Sequence, residues 1–84
     1  MMPHPYATKI RGHDVLVLEE DNMWCAVAMS FRVRGYGDTP KEAVAALDVH
    51  LTAAEEDGIM DNIRIQADPH YIRLHNAVSK GGIR

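Results

Sequence analysis

The sequence predicts an α+β domain: a small antiparallel sheet of three to four strands packed by one long helix, in the order β-β-β-α-β with a short C-terminal helix. Three observations carry this. Residues 23–33 alternate, with Met23, Cys25, Val27, Met29, Phe31 and Val33 on one side of an extended chain. Residues 37–43, Gly-Asp-Thr-Pro-Lys-Glu-Ala, then hold nearly complete helix-start chemistry. Finally, Ala43, Val44, Leu47, Leu51 and Ala54 recur at helical spacing, with no glycine between Pro40 and Asp57.

Taken along the chain, residues 1–8 contain two prolines and read as an irregular arm. A first strand is expected over about residues 9–19, centred on Val15-Leu16-Val17-Leu18 and ended by the polar run Glu19-Glu20-Asp21-Asn22. The alternating run from Met23 is longer than an ordinary strand of about 5–6 residues, so a break is expected near Met29-Ser30. Gly35 and Gly37 let the chain turn from sheet to helix. Thr39 is the expected N-cap, Glu42 reaches back to the Thr39 N–H, and Pro40 sits where a missing N–H costs nothing. Gly58 is the expected stop. Ile63 and Ile65 alternate as an edge strand, and Asp68-Pro69 starts a second helix over residues 69–79. The organisation is thus an arm (1–8), one α+β domain (9–67), and a C-terminal helix and tail (68–84).

Composition narrows the functional classes. The 84 residues are 46% apolar and 25% charged with a net charge of −3, the profile of one globular domain and not of a general polyanion binder. Cys25 is the single cysteine and lies in an apolar strand pattern, so no disulfide framework is expected and a reducing, cytoplasmic setting fits. No run of 18 apolar residues is present, and the start has no long apolar segment of the signal-peptide type, so no membrane association is expected.

Catalytic chemistry finds no foothold. The five histidines include no i, i+4 pair of the helical zinc type, and His70 and His75 point to different sides of their helix. Gly35-Tyr36-Gly37 is a G-x-G without a third glycine, and Asp38 beside it would repel an anion. Ser30 and Ser79 lack a glycine-rich elbow and a paired histidine. No catalytic residue, metal or cofactor is expected. Trp24, Arg32 and Arg34 fall on one face of the sheet, kept smooth by Ala26 and Ala28, and these three are the candidate partner-binding residues.

The motif Glu20-Asp21-Asn22-Met23-Trp24, followed by a strand and then Gly37-Asp38-Thr39-Pro40-Lys41-Glu42-Ala43 with Leu47 one turn on, resembles the HicB family of antitoxins over about residues 9–66. The resemblance implies a small β-β-β-α-β domain, likened to a partial RNase H or double-stranded-RNA-binding fold, that binds and neutralises a HicA-type ribonuclease toxin. It departs from the family at Phe31–Tyr36, where a Pro-Gly-Cys-like turn is usual, and the tail after Ala67 is too short for the DNA-binding module such proteins add. The leading expectation is a non-catalytic protein-binding module of this kind, forming a homodimer or higher oligomer. The alternatives are a small nucleic-acid-binding domain using the arginines, or a dimerising structural or phage-type accessory protein.

Overall fold

The computed structural model of the chain describes residues 4–81. The first three residues of the expected arm and the tail from 82 onward lie outside the described residues. Four strands come first: β1 (Tyr6–Ile10), β2 (His13–Glu20), β3 (Met23–Ala28) and β4 (Arg34–Gly37). They form one antiparallel meander in the order β1-β2-β3-β4. Helix α1 (Pro40–Glu56) follows, then a single 3₁₀ turn at Met60–Ile63 and helix α2 (Pro69–Gly81). This is the expected α+β class, with the long helix and the short C-terminal helix in place.

Two elements differ from expectation. The segment expected as one strand over 9–19 is a hairpin reaching back to Tyr6, so residues 6–8 belong to the sheet and not to an arm. Its two-residue turn is Arg11-Gly12, both at positive φ (52° and 82°), the mirror-image geometry that matches strand twist. Asp21-Asn22 repeats it between β2 and β3, with φ of 53° and 64°. The second difference follows α1. Residues 63–67 make one bridge, Phe31 to Arg64, in place of a strand. The segment still runs beside the β3–β4 connection: Arg32 N–H donates to the Ile63 carbonyl (2.7 Å), Ile65 N–H to Ser30 (3.0 Å) and Ala67 N–H to Met29 (3.0 Å). The 3₁₀ turn before it and the irregular chain opposite it prevent a longer ladder. The break expected near Met29-Ser30 falls directly after Ala28.

Each face of the sheet is covered by one helix. On one, Ile10, Val15, Val17 and Ala26 meet Ala43, Leu47 and Leu51 of α1. On the other, Leu16, Leu18, Cys25, Val27 and Met29 meet Tyr71, Leu74 and Val78 of α2. The strongly apolar odd-numbered face of β3 therefore belongs to the short helix, and the alanine-lined face to the long one. The reason is distance. Gly35 pairs with Ala26 on the alanine face, and a Cβ at Gly35 would run into the Ala43 carbonyl and the Leu47 N–H, so the backbone of α1 rests directly on β4.

The helix ends behave as read, with one change of partner. Thr39 Oγ1 accepts from the Glu42 N–H (3.1 Å), but the Glu42 carboxylate accepts from Asp38 N–H (2.9 Å) in place of Thr39. At the other end Gly58, φ 69°, donates to the Glu55 carbonyl (3.2 Å) and Ile59 to Ala54 (3.0 Å), the paired bonds of a Schellman stop. Asp68 Oδ1 accepts from the His70 N–H (2.9 Å) to open α2.

A charged cluster ties the first hairpin to the end of α1. Arg11 Nε donates to Glu55 Oε1 (2.7 Å), an Nη of the same guanidinium is paired with that oxygen at 2.7 Å, and His13 Nε2 lies 3.5 Å from the other Glu55 oxygen. Of the three acidic residues at this helix end, Glu55, Glu56 and Asp57, Glu55 is the one so engaged. The hydrogen bond from Arg11 holds the Glu55 carboxyl below its ordinary 4.5, and the bond from Lys9 lowers Asp14 in the same way. Because the folded values lie below the unfolded ones, the stability these groups contribute is complete above about pH 5 and is lost as pH falls through the lowered folded values.

Two outcomes follow. Gly35→Ala is expected to lower the free energy of urea unfolding by about 2–3 kcal/mol, because backbone and not a flexible side chain occupies the space; a change under about 0.5 kcal/mol contradicts the close approach. Glu55→Gln is expected to flatten the decline of the urea midpoint between about pH 5 and about pH 3 relative to the parent chain. An unchanged decline would mean that Arg11 and Glu55 are not coupled in solution.

Candidate functional site

The three residues singled out by sequence do not share a face. Trp24 packs half-buried against the α1-side core with Ala26. Arg34 is opposite Val27 and Tyr36 opposite Cys25, so both β4 side chains stand on the α2 face. An unbroken strand would have kept even-numbered residues together. The chain reverses between Ala28 and Arg34, and in the resulting pair even residues of β4 stand with odd residues of β3. Arg32 lies in the connection itself, exposed.

Arg34 is held by two contacts with Tyr71. Its guanidinium lies over the Tyr71 ring, 5.0 Å from the centroid, and its Nη1 is 3.5 Å from the Tyr71 hydroxyl. That hydroxyl donates to the Glu20 carboxylate, 3.0 Å from each oxygen. Partial burial and the bond to Glu20 raise the Tyr71 pKa above its ordinary 10.0, so the phenol stays protonated and able to donate. Glu20, Tyr71 and Arg34 thus form one chain of contacts across the edge of the sheet. Cys25, beneath it, is buried, and burial pushes its thiol upward from 9.0, which leaves it a packed small hydrophobe and not a nucleophile.

Beside this chain lies a cleft of about 260 Å³ between the β3–β4 connection, residues 65–68 and α2. Its apolar walls are Val27, Phe31, Val33, Ile65 and Ala67. Arg32 and Arg34 supply its positive charge, and neither forms an ion pair with a described residue. Arg64, nearby, is spent on the Phe31 ring (5.1 Å) and on Asp61 (3.4 Å).

The outer edge of β4 is the second feature. Opposed residues in an antiparallel ladder alternate between hydrogen-bonded and non-hydrogen-bonded pairs. Ala28 N–H donates to the Val33 carbonyl (3.4 Å), which sets the phase: Gly35 and Gly37 bond to β3, while the N–H and C=O of Arg34 and Tyr36 turn outward. No described backbone or side chain takes them up. The Tyr36 side chain, 53% exposed, stands on the same margin. At the opposite edge, β1 carries Lys9 paired with Asp14 (2.9 Å), a charge of the kind that discourages strand addition.

Sequence reasoning missed Tyr36 and Tyr71. Tyr71 had a signal, since it precedes Leu74 and Val78 by three and seven residues on one stripe of α2. Tyr36 and the free edge had none, because they depend on the β3–β4 register. Among the described residues no three His, Cys, Asp or Glu side chains gather as metal ligands, and no helix is long and apolar enough to cross a membrane. The chain matches no protein-family model, no curated protein and no solved structure.

Proposed function

We propose that this chain is a non-catalytic protein-binding module that engages its partner by strand addition at the outer edge of β4. The unfilled N–H and C=O groups of Arg34 and Tyr36, on an edge without a guarding charge pair, are the observation that carries this reading. Tyr36 supplies an exposed aromatic anchor beside them. Both broad faces of the sheet are already covered by the chain's own helices, which leaves the edges as the natural places for a partner backbone.

The HicB-like motifs give that partner an identity, a HicA-type ribonuclease, and the module the role of an antitoxin in the cytoplasm. The single, unpaired and buried Cys25 fits a reducing compartment. Homo-oligomers joined through the same edge belong to this reading as well. The nucleic-acid alternative draws less support, because the net charge is −3 and Arg64 is stacked on Phe31 and paired with Asp61. Those contacts compete with phosphate neutralisation.

Affinity purification of the tagged chain from its native host tests the proposal. A small ribonuclease is expected to co-purify, its RNA cleavage is expected to stop at a stoichiometric amount of the chain, and Tyr36→Pro is expected to weaken the complex at least roughly tenfold by deleting one edge donor. Recovery of no nuclease, with no rescue of growth when the chain is co-expressed with toxins encoded beside it, would overturn the antitoxin role.

A further inference from the structure

We propose that the cleft between the β3–β4 connection, residues 65–68 and α2 is a binding site for a small apolar monocarboxylate, its acid group taken by Arg32 and Arg34 and its apolar part by Phe31, Val33 and Ala67. The two halves of the cleft call for the two halves of such a ligand. In a chain whose net charge is −3, two arginines line one apolar recess, and neither has an ion-pair partner among the described residues. A carboxylate supplies the planar, two-oxygen acceptor to which guanidinium is matched.

Arg34 does not have to be ordered by the ligand. Its guanidinium is already fixed on the Tyr71 ring at 5.0 Å, and Tyr71 is itself fixed by the Glu20 carboxylate at 3.0 Å. Restricting a long side chain in advance removes part of the entropy loss that weakens small-ligand binding. The cleft volume of about 260 Å³ falls just below the usual range for drug-sized ligands, which limits the apolar part to about one phenyl ring or a branched alkyl chain.

The remaining charge in the cleft selects for one carboxylate and not two. Asp68 also lines it, with Oδ1 accepting the His70 N–H at 2.9 Å in the cap of α2, and its negative charge disfavours a second acid group. Glu20, behind Tyr71, acts in the same direction. The site is independent of strand addition at the β4 edge, since it uses side chains on the α2 face and not the outward backbone groups.

Amide NMR titration of the isotopically labelled full chain with sodium phenylacetate, in low-salt buffer free of other carboxylates and of phosphate, tests the assignment. Saturable shifts at the amides of Val33, Arg34, Ala67 and Tyr71 are expected with a Kd of about 1 mM. Phenylacetamide, and phenylacetate with Arg34→Gln, are expected to bind at least roughly tenfold more weakly, and phenylmalonate more weakly than phenylacetate. Should Arg34→Gln fail to fold, the acid-against-amide comparison on the unaltered chain decides. Absence of saturable shifts, an equal response to the amide, shifts centred away from the cleft, tighter binding of phenylmalonate, or saturation only by a peptide with a free C-terminal carboxylate would each overturn the proposal.

Discussion

The contact between the backbone of α1 and Gly35 governs the rest of this molecule. A helix normally stands off a sheet by the length of two interleaved side-chain layers, which an 84-residue chain can ill supply. Here the helix descends onto a glycine, and Leu47 and Leu51 reach the strands with no exposed surface left. That close approach is possible only over small residues. Ala26 opposite Gly35, with Ala43 above, completes the seat.

With α1 fixed over the alanine-lined face, the larger side chains of the opposite face need another cover. Leu16, Leu18, Cys25, Val27 and Met29 would expose a continuous apolar surface on a four-stranded sheet, and α2 closes it with Tyr71, Leu74 and Val78. The path from α1 to α2 has to cross the β4 end of the sheet. It does so along the β3–β4 connection, held by the bonds to Met29, Ser30 and Arg32, and the gap it leaves is the cleft. Fold and candidate site are therefore the same set of constraints: helices that consume both faces leave an open edge and a recess beside it.

Much of this was legible in the sequence because it rests on local chemistry. Thr39, Pro40 and Glu42 announced α1, Gly58 its end and Asp68-Pro69 the start of α2, each through groups within a few residues of one another. Long-range register was not legible. Arg11 in a left-handed turn is an uncommon choice, steadied by Glu55 forty-four residues away, and it concealed the first hairpin. The placing of Trp24 and Arg34 on opposite faces likewise follows from a pairing of β3 with β4 that alternation alone cannot reveal. Thus Arg34 stood out by residue type alone, while its contact with Tyr71 and the outward place of Tyr36 became visible only once the strands were paired.

The outward backbone groups of Arg34 and Tyr36 on the outer edge of β4 have no partner among the described residues, and hydrogen exchange of individual amides in the free protein tests this most directly. The amides of Arg34 and Tyr36 are expected to exchange near the rate of an unstructured chain, while Gly35, Gly37 and the central Leu16 and Val17 are protected at least roughly a hundredfold. Protection of Arg34 and Tyr36 equal to that of Gly35 and Gly37 in the dilute, monomeric protein would contradict it, since those two N–H groups would then already have partners.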